Sequence, residues 1–480
     1  MSHRWVRGSL TGASRSMASL FAGALLAACA SQGPPLESAD AADSLLAAFI
    51  AIGPGGMAVA RVITGSVTCP DIEADGTRIV MTVRAAPATI AQRPTASAPN
   101  DSKPSAFPVT TCDALLPVGV RRASAGGHAL AVPKLRPQRI VVIGDSGCRL
   151  KVFDGGFQAC NDPAAWPFAQ VVAAAAAAHP DLVIHVGDYH YRENACPAWN
   201  SGCAGSPWGY GWDAWDADFF APAKVLLAAA PWIFVRGNHE SCNRAGQGWW
   251  RFLDPRPMAP GRDCNDPAND SAGDYSEPYA VGIADDTQAI VFDSSNVVIP
   301  ALVPSDPMYR IYNSQMGAAF ALVGDASRNI FIEHHPVLGF APNPSEQPTG
   351  LYPGNLALQS VLRPTYGERY FPANVQALLA GHYHLFEMVS FATSQPAQLI
   401  SGNAGAYADA PLPVARARTA QPAPGARIEN ILSTSEHGFM IMERGSDGTW
   451  RIEAHDRRGQ TLTTCTLRSG DARCEPETLP

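Results

Sequence analysis

The chain has 480 residues, with 35 Lys and Arg against 43 Asp and Glu, for a net charge of −8. That length exceeds what one minimal core needs, and the sign of the charge excludes a protein that binds nucleic acid by neutralising phosphates. Hydrophobic residues make up 46% of the chain, with 10 Trp and 18 Phe, which excludes a disordered polymer. The 11 Cys are an awkward odd number for a disulfide-bonded protein and a high number for a reducing compartment.

Residues 1–28 read as a signal peptide: Arg4, Arg7 and Arg15, with no acidic residue among them, precede an apolar run over 17–26 that is too short to span a bilayer. The run ends in Leu26-Ala27-Ala28-Cys29, which resembles a bacterial lipobox and implies lipidation of Cys29; ordinary cleavage after Ala30 is the rival. Either way the chain is expected to leave the cytosol, as an exported bacterial lipoprotein at the periplasmic face of a membrane or at the cell surface. The membrane contact is then a lipid anchor only, because no other stretch reaches the ~18 apolar residues of a spanning helix. Removing Cys29 from the count leaves an even set free to pair in an oxidising compartment, and nearest-neighbour pairs such as 148–160, 196–203, 242–264 and 465–474 close short loops.

Residues 29–56 read as a tether. Strand-like runs at 57–63, 78–83 and 118–132, the last turning at Gly126-Gly127, predict a small β-rich domain over 57–136, interrupted by a Pro/Ser/Ala-rich loop at 87–108. From 137 to 480 the text alternates. Strands are expected at 139–143, 182–186, 232–235, 289–292, 330–332 and 375–380, with helices at 166–178 and 213–230, so the fold class is α/β. A strand-rich end, 385–466, carries a Pro-rich insertion at 411–425.

Polar residues gather where five of these strands end: Gly144-Asp145-Ser146-Gly147, Gly187-Asp188-Tyr189-His190-Tyr191, Gly237-Asn238-His239-Glu240, Glu333-His334-His335-Pro336 and Gly381-His382-Tyr383-His384. Ligand sites of open α/β sheets lie outside the carboxyl ends of strands. Hard carboxylate and amide oxygens mixed with imidazoles are the donors that a pair of metal cations requires.

In these five blocks and their order, the sequence resembles the calcineurin-like metallophosphoesterase superfamily over about 139–410. The Asp145-x-Gly147 block and Tyr191 in Gly-Asp-x-x-Tyr resemble, more narrowly, purple acid phosphatases. The resemblance implies a four-layer αββα sandwich and two metal sites. Asp145, Tyr191 and His384 would hold the first metal, Asn238, His334 and His382 the second, and Asp188 both. A phenol that ionises near pH 10 calls for Fe³⁺ in the first site; Zn²⁺, Mn²⁺ or Fe²⁺ suit the second. His239 takes the role of catalytic histidine, and His335, Arg149 and His190 are expected to face substrate. The implied reaction is in-line attack of hydroxide on a small-molecule phosphoester, most simply a monoester. A phosphodiesterase or nucleotidase would use the same residues with different loops at 192–215 and 241–275, and a surface lipoprotein that uses the fold only for binding is the non-enzymatic alternative. No nucleic-acid-binding surface is expected. His185, Asp293 and Asn403 read as structural, and the tryptophans at 199, 208, 212 and 215 as a satellite core.

Overall fold

A computed structural model describes residues 44–97, 102–152, 156–476 and 479. The signal peptide and Cys29 lie outside the described residues. Residues 41–480 form one compact unit. In chain order its principal elements are β1 Leu45–Ile52, β2 Ala58–Thr64, β3 Thr82–Ala85, β4 Thr110–Leu115 and β5 Arg139–Ile143. Then come α1 Phe168–Ala177, β6 Leu182–His185, α2 Ala221–Leu227 and β7 Trp232–Phe234. The second half holds β8 Tyr279–Ala284, β9 Thr287–Val291, α3 Pro307–Leu322, β10 Arg328–Ile332, α4 Leu356–Tyr366, β11 Val375–Ala380, β12 Phe386–Phe391 and β13 Ala397–Ser401. The chain ends in β14 Ile428–Thr434, β15 Gly438–Arg444, β16 Trp450–Asp456, β17 Thr461–Arg468 and β18 Asp471–Glu475.

Two sheets face each other. The first has 11 strands in the order β18-β17-β16-β15-β5-β6-β7-β1-β2-β4-β3, and the second has 7 in the order β8-β9-β10-β11-β13-β12-β14. Strands β5, β6 and β7 run parallel, as do β9, β10, β11 and β13. Their near-continuous Val/Ile/Leu text follows from burial on both faces. Successive side chains of β5 alternate between two cores: Ile140 and Val142 meet Ala289, Ile330 and Leu379 of the second sheet, while Val141 and Ile143 meet helix α1. Helix α1 buries Phe168, Val171, Val172 and Ala175, one stripe at helical spacing. Helices α3 and α4 cover the outer face of the second sheet through Tyr312, Met316, Val361 and Leu362. The layers are therefore helix, sheet, sheet, helix, as the resemblance implied.

The N-terminal third departs from its sequence reading. The expected tether contains β1, whose apolar run is buried on both faces between β7, which it parallels, and β2, which it opposes. The segment 57–136 is β-rich, but β2, β4 and β3 continue the large sheet instead of enclosing a core of their own. The run 78–83 breaks at Met81: Thr77–Val80 joins a separate four-stranded sheet and β3 joins the large one. The ends of the 87–108 loop pair as a short ladder, Ala88–Ile90 against Ser105–Phe107. Five disulfides form, 69–112, 148–160, 196–203, 242–264 and 465–474. They fit a chain that matures outside a reducing compartment. Among the described residues no helix is long and apolar enough to cross a membrane.

Two buried arginines fasten the N-terminal strands to the rest. Arg61 of β2 donates to both oxygens of Asp113 (2.8 and 3.1 Å) and to the carbonyls of Phe252 (2.8 Å) and Asp254 (2.9 Å). Arg84 donates to the same Asp113 (3.0 Å) and to the Trp250 carbonyl (2.6 Å). Burial alone would raise the Asp113 pKa, but Arg61 and Arg84 outweigh it and hold the carboxyl below its usual range. Removing one member of such a buried cluster leaves charge and carbonyls uncompensated, so Arg61→Ala is expected to cost about 3–5 kcal/mol. The measurement is the urea unfolding midpoint, with Val303→Ala, an exposed change, as the control that should not move it.

Candidate metal centre

All five polar blocks meet at one edge. Asp145, Asp188 and Asn238 follow β5, β6 and β7 of the first sheet; His334, His382 and His384 follow β10 and β11 of the second. Adjacent ends are stitched by backbone bonds, Asp145 N–H to Gly187 O (2.9 Å) and Ser146 N–H to Asp188 O (2.9 Å). The two sheets are joined across the site by the His382 N–H, which donates to both oxygens of Asp145 (3.1 and 3.0 Å). Three of these residues, Asp145 (φ 55), Asp188 (φ 60) and His382 (φ 69), adopt left-handed backbone conformations. A side chain pays for that conformation with strain that persists only where the surroundings over-determine it.

The donors converge on a small buried space. The Tyr191 hydroxyl lies 3.1 Å from Asp145 Oδ1, 2.8 Å from Asp188 Oδ2 and 2.9 Å from His384 Nε2. It has one proton for three acceptors. His334 Nε2 lies 3.2 Å from Asp188 Oδ2 and 3.0 Å from Asn238 Oδ1, and His382 Nδ1 lies 3.0 Å from the same Asn238 oxygen. The tautomers follow from the outer bonds: His334 Nδ1–H donates to Val186 O (2.8 Å) and His384 Nδ1–H to Tyr407 O (2.7 Å). Both rings therefore present Nε2 lone pairs to carboxylates, an arrangement that needs positive charge between them. Outer carbonyls that fix the ring in this way are a regular feature of metal-ligating histidines. The protonation equilibria express the same demand. Burial lowers the proton affinity of His334, yet Asp188 overrides it and raises the pKa to about 9. Burial raises the Tyr191 phenol well above its usual value, and Asp145 and Asp188 add to the effect. Residues Asp145, Asp188 and His334 offer ligand atoms within 4.8 Å of one another, as do His334, His335 and His382.

His335 differs from His334 by one hydroxyl. Ser294 Oγ accepts the N–H groups of His334 (3.2 Å) and His335 (3.1 Å), so its own proton goes to His335 Nδ1 at 3.2 Å. The remaining ring proton is then on Nε2, which makes His335 a donor beside His382, 4.3 Å away between ring centres, and leaves His334 as the ring with a free inward lone pair. His239 packs against the Tyr191 ring (3.8 Å between centres), with Nδ1 held by Glu193 Oε1 (2.7 Å) and Nε2 3.9 Å from Asp188 Oδ2. Burial and the Arg244 guanidinium lower its pKa to about 3. Arg149 stands near enough to oppose, in small part, the rise in pKa of both Tyr191, driven by burial, and His384, driven by Asp145.

His190, expected to face substrate, does not: its ring is buried between Tyr210 and Trp215, 5.5 Å from each, because the chain alternates and turns Tyr191 inward. His185 is a core residue bonded to Ser146 Oγ (3.0 Å). Asp293 accepts from Ser276, and Asn403 donates to the Glu436 carbonyl (2.6 Å). Trp212 and Trp215 are core, while Trp199 is 75% exposed. Sequence reasoning missed Glu193, Arg244 and Glu240. Glu240 accepts the N–H groups of Asp188 (3.0 Å), Tyr189 (2.9 Å), His190 (3.2 Å) and Gly237 (3.0 Å). The available signal was adjacency: Glu240 directly follows His239, and Glu193 stands two residues beyond Tyr191.

Gly237 shows how tightly the site is fitted. A Cβ there would lie 2.1 Å from Asp188 Oδ1 and 2.3 Å from Asp188 N. Gly237→Ala is expected to displace Asp188 and weaken metal uptake about 10- to 100-fold, the range for lost supporting groups. Titration of the metal-free variant with Zn²⁺ by calorimetry measures it.

The calcineurin-like phosphoesterase family model matches residues 138–386, more than half of the chain. No curated protein sequence matches. Among solved structures, the purple acid phosphatase PPD1 from yellow lupin (Lupinus luteus) seeds superimposes with TM-score 0.53 at 13% identity, covering 88% of this chain and 74% of its own. PhoD superimposes with TM-score 0.53 at 9% identity, covering 92% of this chain and 93% of its own. At such identity the likeness is one of fold, and the family match supplies the rest: the chain belongs to the calcineurin-like phosphoesterase family.

Proposed function

We propose that the protein is a two-metal phosphomonoesterase of the purple acid phosphatase type, exported and anchored through Cys29. The observation that carries this reading is the Tyr191 hydroxyl, one phenol within 3.1 Å of two buried aspartates and an imidazole whose tautomer is fixed. The donor set fits two cations. Asp145, Tyr191 and His384 would hold the first, Asn238, His334 and His382 the second. Asp188 would serve both, since its Oδ2 meets Tyr191 at 2.8 Å and His334 at 3.2 Å. A phenol pushed above its ordinary pKa favours Fe³⁺ in the first position, and an amide with two imidazoles suits Zn²⁺, Mn²⁺ or Fe²⁺ in the second. When bound, the metals supply Lewis acidity to the phosphoryl oxygens and to the attacking water.

The chain's own residues orient and move protons. Glu193 holds His239 by Nδ1 and leaves Nε2 3.9 Å from Asp188 Oδ2, where the ring would assist departure of the leaving oxygen. His335 offers its Nε2–H, and Arg149 its guanidinium, to phosphoryl oxygens.

Purified protein should contain two metals per chain, show a violet absorption, and hydrolyse p-nitrophenyl phosphate faster than the bis-p-nitrophenyl ester. Tyr191→Phe should abolish the colour. Preference for the diester would replace the monoesterase reading, and absence of both metals and activity after reconstitution would end the catalytic one. His239→Ala should keep both metals while kcat falls about 100- to 10,000-fold.

A further inference from the structure

One buried carboxylate outside the donor set bears directly on Tyr191. Asp218 lies in a five-residue π-helical turn, Asp216–Phe220, between the short helix Trp212–Trp215 and α2. It is fully buried, and its two oxygens receive four donors. Oδ1 accepts from the Cys148 N–H (2.9 Å) and from Arg192 Nε–H (2.6 Å); Oδ2 accepts from the Tyr191 N–H (2.7 Å) and the Arg192 N–H (3.0 Å). A single side chain thus ties the loop after β5, which carries Asp145, to the loop after β6, which carries Asp188 and Tyr191. With the amides of 188–190 ending on Glu240, all five consecutive N–H groups of 188–192 terminate on two buried carboxylates.

Burying such a carboxylate is costly unless it is paired. Arg192 supplies the charge, its guanidinium 5.1 Å above the Trp166 ring, and Trp166 Nε1–H in turn donates to Ser146 O (2.9 Å). Space for the contact comes from Gly147: a Cβ there would stand 2.9 Å from Asp218 Oδ2, 2.8 Å from Tyr191 N and 2.7 Å from Tyr189 O. The wide turn matters because π-helical turns, with i→i+5 bonding, redirect side chains out of the ordinary helical register and recur at functional sites.

We infer that Asp218 is a positioning residue that sets the Tyr191 phenol over Asp145 and Asp188, and that Gly147 is the small residue that admits it. The consequence for metal binding rests on the proposal that Tyr191 is a ligand; the clamp itself does not. In metal-free wild-type protein the amides of Tyr191 and Arg192 should exchange as slowly as those of β5 and β6, and rapid exchange would overturn the inference. Asp218→Asn keeps one acceptor oxygen and loses the charge, so these two amides should lose protection by about 10-fold or more, against unchanged amides in β9 and β10. After reconstitution with Fe³⁺ and Zn²⁺, the tyrosinate absorption should shift or vanish and iron affinity fall about 10- to 100-fold, with zinc affinity retained. Gly147→Ala, which presses on the same oxygen, should give the same signature and stands in where Asp218→Asn does not fold. Wild-type exchange and colour in both variants would refute the positioning role. Wild-type protein that takes up iron without a tyrosinate absorption would refute the ligand role of Tyr191 and leave the exchange result to decide the clamp.

Discussion

Two buried aspartates share one phenol, and most of what surrounds them answers to that crowding. Asp145 and Asp188 carry charge of one sign into a space with almost no water, where such charge must be compensated. The two carboxyls respond oppositely. Burial raises Asp145, with His384 and His334 only partly offsetting it, whereas His334 and His239 overcome burial and hold Asp188 well below its usual value. Outer carbonyls hold Nδ1 of His334 and His384, so that Nε2 of each ring faces the carboxylates.

The precision of this cluster comes from a division of labour between sheets. The first sheet delivers three donor-bearing loops and the second two, all at the carboxyl ends of parallel strands, and the His382 N–H on Asp145 closes the gap between them. Left-handed conformations at Asp145, Asp188 and His382 turn the chain sharply soon after it leaves the strand. The strain is carried by a well-packed base: the intersheet core beneath is built mainly of apolar side chains, among them Ile140, Ile184, Ile332 and Leu379.

Outside the donors, the supporting groups are mostly buried charges with several hydrogen bonds each: Glu240 under the loop of Asp188, Asp218 under that of Tyr191, Glu193 behind His239. Arg236 reaches the Glu240 carbonyl (2.8 Å) and the Gly273 carbonyl (2.7 Å), and so ties the third strand end to the turn at Gly273 that packs beside the 242–264 disulfide. These residues limit how far the donors can drift, and Glu240 and Asp218 do so largely by accepting backbone N–H groups, contacts that no side-chain motif records.

The candidate donors were legible in sequence because chemistry restricts them. Metal-binding side chains come from a short alphabet, the strands before them are apolar runs, and the five blocks stand in order along the chain. Strand–helix alternation after 137 and the pairing of neighbouring cysteines were legible for similar local reasons. What tertiary structure alone decided depends on contacts between distant segments. The apolar run at 45–52 carries no mark that separates a tether from a central strand; its partners β7 and β2 made it the latter. His190 and Tyr191 are neighbours in sequence, and only the packing of Tyr210 and Trp215 turned one away from the site and the other into it. His334 and His335 are set apart by a single serine hydroxyl about forty residues upstream, which meets the ring of His335 alone, and Asp218 was hidden inside a stretch that reads as ordinary helix. Sequence specifies which groups are present and which elements form; which group faces which is settled when the sheets close, since that is when burial makes each unpaired charge or lone pair too costly to leave unanswered.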